Sequence, residues 1–312
     1  MRLRRPARPA EASDPVNALA AREVLVSGPR YIELATALLQ RARLASATGG
    51  MWEAADVQWW SRQARFTDCH EQVFWLDGDE QPVAAAIRTD FSRTTQFDVL
   101  LVPGSEQYAE PAWAELLSRA AAVVAAGVSV EFPVRDDDHF AVASLMHAGY
   151  VPAAPEHSGI CSWLDAASVP AIPAIPSGFW LASREEVPLR PHPLMARNGA
   201  DVAERLLACS LYNPALDLMA GAPDGTPAGY GLFWADPVTK VGLVEPMRTE
   251  EQFQHRGVAS HLLISGMHLL AAQGCDRLKV SNDIDLYLKA RFVPQLASKA
   301  TTYVPAREAD VG

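Results

Sequence analysis

The sequence predicts two α+β domains built to one plan, and three observations carry that prediction. The chain has 312 residues, about twice the ~150 of a typical domain. Its two halves repeat one succession of strands and helices. Between them PAIPAIPSG (Pro170–Gly178) sets three prolines in a short run that cannot hydrogen-bond as a helix, and it reads as a linker. The expected division is a disordered tail over 1–20, a first domain over 21–169, the linker over 170–177 and a second domain over 178–312.

The repeat opens with two hairpins. QVFWLDGDEQPVAAAIRTDF (Gln72–Phe91) has two β-rich runs about Asp77-Gly78, and LDLMAGAPDGTPAGYGLFWADP (Leu216–Pro237) has two about Asp224-Gly225. Such turns supply the positive φ that short hairpin loops need. A strand follows each hairpin, Gln96–Pro103 and Lys240–Thr249. Then comes an Ala/Leu-rich helix closed by glycine: Pro111–Ala126 before Gly127, and Val258–Gln273 before Gly274. A short β-rich strand is next, Val128–Val134 and Arg277–Val280. Each half ends in a helical stretch running into HAGYVP (His147–Pro152) or KARFVP (Lys289–Pro294). The landmark pairs Pro82/Pro227, Gly127/Gly274 and Pro152/Pro294 lie 145, 147 and 142 residues apart. That agreement makes chance similarity a poor explanation.

Composition bounds the function. With 49% hydrophobic and 21% charged residues, the chain is globular. Its net charge of −10 argues against a nucleic-acid or anionic-membrane binder, which needs a basic face. The first 30 residues hold six arginines against three acids, leaving the rest of the chain at −13. Such a body favours a cationic ligand. Cys69, Cys161, Cys209 and Cys275 form no C-x-x-C pair and read as reduced thiols in a cytoplasmic protein. Zincin, α/β-hydrolase and P-loop motifs are absent, as is any apolar run of ~20 residues. The Arg- and Pro-rich start lacks the apolar core of a secretory signal and reads as a solvated tail.

The chemistry concentrates in EEQFQHRGVAS, between the strand ending at Thr249 and the helix from Val258. A strand opening through a glycine loop into a helix N-terminus is an anion site, because first-turn N–H groups point outward and the helix dipole favours phosphate. Gly257 permits close backbone approach, Ala259 keeps the next turn narrow, and His255 and Arg256 stand on the loop.

Gln254-His255-Arg256-Gly257-Val258-Ala259 matches the Q/R-x-x-G-x-G/A pyrophosphate loop of the GNAT acetyltransferase superfamily. The surrounding order of elements also resembles that family, well over about residues 178–305 and only as a succession of elements over 30–165. The whole resembles a tandem GNAT arrangement, of which mycothiol synthase is one kind. The resemblance implies mixed, mostly antiparallel sheets flanked by helices, and transfer of an acetyl group from acetyl-CoA to an amine. It implies that Met247, Arg248 and Thr249 bond the pantetheine and that Gln254 through Ser260 bind the pyrophosphate. Asn282, after the fifth strand, falls with these cofactor-binding residues. Tyr287 stands where the family keeps its general acid, and a phenol of pKa near 10 can protonate a leaving thiolate at pH 7.

The attacking amine must lose a proton, and a carboxylate is the usual base. Glu245 interrupts an apolar strand that should run beside the acyl group, so it is the candidate base; a strand-end carboxylate facing solvent or pairing with Arg248 is the alternative. Asp283 and Asp285 read more simply as helix caps. His261 and His268, seven apart on one helix face, read as a solvent-facing stripe, and no metal site is expected. Trp52, Trp59, Trp60, Phe66, Phe74 and Trp75 read as core or domain interface rather than as a substrate cleft.

The first half lacks the loop motif. VPGSEQYAEPAWAELL puts Glu106 and Glu110 where phosphates would lie, and Leu145 falls opposite Tyr287. This half reads as a non-catalytic structural partner. The second half is itself irregular: Asn282 and Tyr287 are only five apart, and Arg291 replaces the glycine usual before the final aromatic, Phe292. The function expected is N-acetyl transfer to a small-molecule or peptide amine, with a cationic acceptor favoured and neither nucleic acid nor membrane as partner. A non-catalytic CoA-binding or interaction protein on the same scaffold is the competing class.

Overall fold

The computed structural model describes residues 21–62, 70–91, 93–154, 159–188 and 190–306. The expected tail over 1–20, together with Phe66 and Cys69, lies outside the described residues.

In the first half β1 (Arg22–Val26) leads into α1 (Gly28–Ala45) and α2 (Ala54–Trp60). There follow β2 (Gln72–Leu76), β3 (Pro82–Asp90), β4 (Thr95–Leu101), α3 (Ala109–Ala125), β5 (Val130–Arg135), α4 (His139–His147) and β6 (Tyr150–Pro152). Next come β7 (Ser162–Asp165), β8 (Trp180–Ser183), α5 (Met195–Asn198) and α6 (Val202–Leu207). The second half closes with β9 (Asp217–Gly221), β10 (Pro227–Ala235), β11 (Val241–Thr249), α7 (Val258–Ala272), β12 (Arg277–Val280), α8 (Asp285–Lys289), β13 (Val293–Pro294) and β14 (Ala300–Pro305).

These strands form two mixed seven-stranded sheets, in orders β1-β2-β3-β4-β5-β14-β6 and β13-β7-β12-β11-β10-β9-β8. Their ends are exchanged. β7 precedes the proline linker yet pairs with β12 and β13 of the second sheet, while the C-terminal β14 inserts between β5 and β6 of the first. The linker is thus not the only crossing, and no single cut there separates the two sheets. Each short strand completes a sheet whose edge would otherwise expose unpaired backbone groups.

The local signals decide the elements where they are strong. α3 and α7 both end in left-handed glycines, Gly127 (φ 79°) and Gly274 (φ 83°). Val128 N–H bonds the Val123 carbonyl and Cys275 N–H the Leu270 carbonyl, closing each helix with a Schellman turn. The hairpin turns differ. Gly225 takes the positive φ (85°) in the second, but in the first it falls on Glu80 (58°) rather than on Gly78. The Asp77 carboxylate accepts from the Asp79 and Gln81 N–H groups and sets that longer turn.

α3 covers one face of the first sheet, with Phe97, Trp113, Leu116 and Phe132 between them. α7 covers one face of the second, where Gly266 lets the Phe233 ring lie against the helix: a Cβ there would meet the ring at 2.1 Å. The two remaining faces share a single core. Leu38, Val57, Trp59, Trp60 and Ile87 of the first half pack with Leu206, Leu232, Trp234 and Leu243 of the second. The predicted aromatic group divides accordingly. Trp59, Trp60 and Phe74 enter the shared core with Trp52 packed against it, and Trp75 lies under α3.

A buried ion cluster crosses the same interface. Lys279 of β12 is fully buried and pairs with Glu53 at 2.9 Å, also donating to the Met51 carbonyl. Arg43 forms a two-armed bond to Glu53. Although burial opposes its charge, the two cations hold the Glu53 carboxyl below its usual range. Trp163, on the exchanged β7, lies beneath Lys279, Arg43 and Arg277 as a cation–π surface.

Candidate active site

Parallel pairing between β11 and β12 runs through Val241–Arg277, Gly242–Leu278 and Leu243–Lys279 and then stops. From Val244 to Thr249, β11 keeps its antiparallel partner β10 on one side only. The backbone groups of Met247 and the Thr249 N–H therefore face a gap between the strands, while Arg248 turns its carbonyl toward β10, and the Thr249 hydroxyl is buried without a partner among the described residues. Such a group calls for a ligand or water.

The loop continues from that gap. Gln254 donates its side-chain amide to the Thr249 carbonyl at 3.2 Å, tying the loop to the strand end. His255 (φ 57°) and Gly257 (φ 86°) both adopt left-handed backbone, turning the chain into α7. The first N–H of the helix to find a carbonyl is that of His261, on Gly257. The N–H groups of Val258, Ala259 and Ser260 are thus free at the positive end of a 15-residue helix. The Arg256 guanidinium lies over the Phe253 ring at 5.8 Å. Donor geometry and positive charge coincide here.

Glu245 and Tyr287 lie close enough for the carboxylate charge to act on the phenol. The Glu245 carbonyl accepts the Trp234 indole N–H at 2.6 Å, which fixes the residue where β10 and β11 slip register. Its carboxyl faces the first half of the molecule. Burial pushes it up to about 7, the Asp56 charge adding to this and Arg62 and a bond from Trp59 opposing it. Pairing with Arg248 does not hold; Arg248 bonds Glu250 instead. Tyr287 is buried on α8, edge-on to Phe292. Burial, then the Glu245 charge, raise its phenol to about 12. That coupling puts acid and base candidates in one site.

Asp56, Trp59 and Arg62 all come from α2 and the turn after it, so the first half closes this site. Arg62 stacks on Trp59 at 3.8 Å and bonds Asn198 at 2.7 Å. Asp56 is buried and accepts the Glu53 N–H in a reciprocal capping box. Burial pushes its carboxyl up to about 6. Sequence reasoning missed Asp56 and the pinning Lys279. A lysine inside the apolar RLKV strand was the available signal.

Other predicted residues fall elsewhere. The Asn282 side-chain oxygen is engaged in its own turn, accepting from the Asp283 and Ile284 N–H groups at 2.8 and 3.2 Å. Asp283 and Asp285 do not cap α8, whose N-cap residue is Ile284; Asp285 pairs with Lys289. His261 and His268 are not a free stripe. They hydrogen-bond the Pro173 and Pro170 carbonyls at 2.7 and 2.9 Å, holding a linker that has few N–H groups of its own. Arg291 takes φ 72°, the left-handed backbone expected of a glycine there. Cys161, Cys209 and Cys275 are free and buried. Among the described residues no cluster could hold a metal ion, and no helix is long and apolar enough to cross a membrane.

The first half repeats this geometry with different chemistry. β4 pairs with β5 only at Thr95–Val130 and Gln96–Glu131. Asp98 then occupies the place of Glu245, 147 residues earlier and on the same interface-facing side. Leu145, fully buried, fills the place of Tyr287. The Gly104 N–H, at the strand's exit, donates to the Glu106 carboxylate at 2.9 Å. A side chain of the protein thereby takes a backbone donor that a phosphate would need.

Sheet, gap and loop together have the arrangement of the GNAT fold. Residues 180–292 match the model of the acetyltransferase (GNAT) family, so the second half of the chain is a GNAT acetyltransferase domain. Similar solved structures extend the fold to the whole chain. A tandem GNAT protein from the clavulanic acid biosynthesis pathway superposes with TM-score 0.63 at 16% identity, covering 91% of this chain and 97% of its own. A GCN5-related N-acetyltransferase from Sphaerobacter thermophilus gives 0.58 at 16% identity, with coverages of 90% and 95%. The N-myristoyltransferase of Saccharomyces cerevisiae gives 0.52 at 13%, with coverages of 94% and 80%. No curated protein matches the sequence significantly.

Proposed function

We propose that the protein transfers the acetyl group of acetyl-CoA directly to an amine, in the second half only. The observation that carries this is the junction of an unpaired β11 edge with the open N-terminus of α7. Pyrophosphate suits the N–H groups of His255 to Ser260 and the Arg256 charge, the Gln254 N–H being held by the Glu251 carbonyl, and the pantetheine suits the free edge of Met247–Thr249 and the Thr249 hydroxyl. Asn282 has no side-chain oxygen to spare, which argues against a large share for it.

In this reading Glu245 takes a proton from the acceptor ammonium, whose nitrogen then attacks the thioester carbonyl. The C–N bond forms, the C–S bond breaks, Tyr287 gives its proton to the departing sulfur, and the second proton shed by the acylated nitrogen returns to the phenolate. A carboxyl near pKa 7 is well matched to that first step, being half ionised at neutral pH. The acceptor approaches from the side of Trp59 and Arg62. Cationic amines suit the acidic surroundings of Asp56 and Glu245, with no role for nucleic acid or membrane and no metal. A cytoplasmic setting agrees with three free thiols. The test is incubation with acetyl-CoA and a panel of primary amines, following free thiol. Amine-dependent thiol release supports the reading; binding of acetyl-CoA with no turnover on any amine points to a non-catalytic CoA protein instead.

A further inference from the structure

The first half keeps a cleft where its own β4 and β5 part, and the cleft is not filled. It holds about 690 Å³. Its walls are apolar and aromatic, from Leu39, Trp52, Leu100, Val102, Trp113 and Phe140, and acids stand at both ends. At the inner end is Asp98, only 4% exposed. At the mouth are Glu106 and Glu110, on the loop and first turn leading into α3. The other charged or titratable groups in the wall have neighbours of their own: Arg43 with Glu53, Arg135 with Asp137, Asp138 as the cap of α4, and His139 beside Asp137.

Asp98 is the anomaly. The buried Glu53 has two cations, whereas Asp98 has no ion-pair partner among the described residues. It receives neutral donors only, Trp52 Nε1 at 2.8 Å and Gln96 Nε2 at 2.8 Å, one to each oxygen. A carboxylate accepts about four bonds, so acceptor capacity remains. Burial, with the Glu131 and Asp56 charges behind it, pushes the group up to about 7 against those two bonds. Without a counter-charge such a carboxyl ionises only at a cost and keeps its proton, whereas a cation in the cavity would complete the ionised form. The distance fits a chain-like molecule: four residues of extended strand from Asp98 to Val102 span about 13 Å. Acyl-CoA is disfavoured by the same features, since Glu106 occupies the Gly104 N–H and Glu110 adds negative charge where phosphates would lie.

We infer that this cleft is a binding site for a linear aliphatic amine, its ammonium groups held by Asp98 within and by Glu110 and Glu106 at the mouth, its methylenes against the apolar walls. The site is separate from the acetyl-transfer centre and does not depend on that centre being active. A polyamine bound there would set the position of Trp52 and the segment Met51–Glu53, which reaches Lys279 across the interface.

Calorimetry on the full chain with spermidine tests this, with CoA present to occupy the donor site. The expected result is saturable binding that Asp98→Asn weakens by at least about tenfold, the cost of losing one partner of a buried charge pair. Glu110→Gln, at the surface and harmless to folding, should weaken it by a smaller factor. Ala42→Trp should block it by filling the cleft without changing a charge. Glu245→Gln should leave it intact. Absence of spermidine binding overturns the inference. So does binding that vanishes in Glu245→Gln while all three cleft variants keep it, because the amine would then sit only at the transfer centre.

Discussion

The two halves share one backbone plan and differ in three places, and those places separate a transfer centre from a cleft without one. After the third hairpin-linked strand the second half has Gly257 and a free helix N-terminus, while the first has Glu106 folded onto Gly104. Where the second half has Tyr287 the first has Leu145. Where the second has Glu245 the first has Asp98, and here the difference is subtle because both carboxyls stand near 7. The splayed strands alone therefore do not make an acetyltransferase. On the proposed reading the proton donor and the phosphate loop do, and the acid at the strand is common property.

The largest effect should come from the base. Glu245→Gln is expected to lower kcat by about 10²- to 10³-fold at pH 7, within the usual range for removing a general base. The loss should shrink as pH rises and the amine deprotonates itself. In the parent protein the rate should rise through about pH 7, because the raised Glu245 must lose its proton to act. A pH–rate profile for both proteins checks this; parallel profiles would return Glu245 to a structural role.

The acid comes next. Tyr287→Phe makes the second half resemble the first at that point, and should lower kcat by about 10²-fold with acetyl-CoA affinity nearly unchanged. The factor is at the low end because a thiolate of pKa about 8.5 leaves fairly well unaided. With the phenol at about 12, no alkaline limb from Tyr287 should appear below pH 11. Full kcat in the variant would show that the phenol is aimed elsewhere.

The smallest effect is on stability. Asp98 in the folded chain holds its proton up to about 7, while the unfolded chain releases it near 3.8. The folded state then binds more protons across that window, so stability falls as pH rises through it. Asp98→Asn should flatten that slope by up to about 1.4 kcal/mol per pH unit. Urea denaturation at pH 5 and pH 8 measures it, and an unchanged slope would mean that Asp98 is ionised throughout.

The sequence made the repeat legible because its signals are local: glycines that end helices, and a Gly-containing loop between strand and helix. Tyr287 and Glu245 could be nominated from order along the chain. Their environment could not, since Trp59, Asp56 and Arg62 reach Glu245 from the far side of a fold that no local pattern encodes. The strand exchange was hidden for a similar reason. Ser162–Asp165 and Ala300–Pro305 are short apolar segments, and which sheet such a segment joins is decided by tertiary pairing. The bonds from His261 and His268 to the linker were hidden because their partners are carbonyls of a proline run, invisible to spacing rules.

The central claim is that one half only holds the acetyl donor, and the stoichiometry of acetyl-CoA binding tests it most directly. Calorimetry on the whole chain should give one site, and Gly257→Glu should abolish it by placing bulk and negative charge against the pyrophosphate at a residue that needs φ 86°. Two sites of similar affinity, or one site that survives Gly257→Glu, would contradict the account.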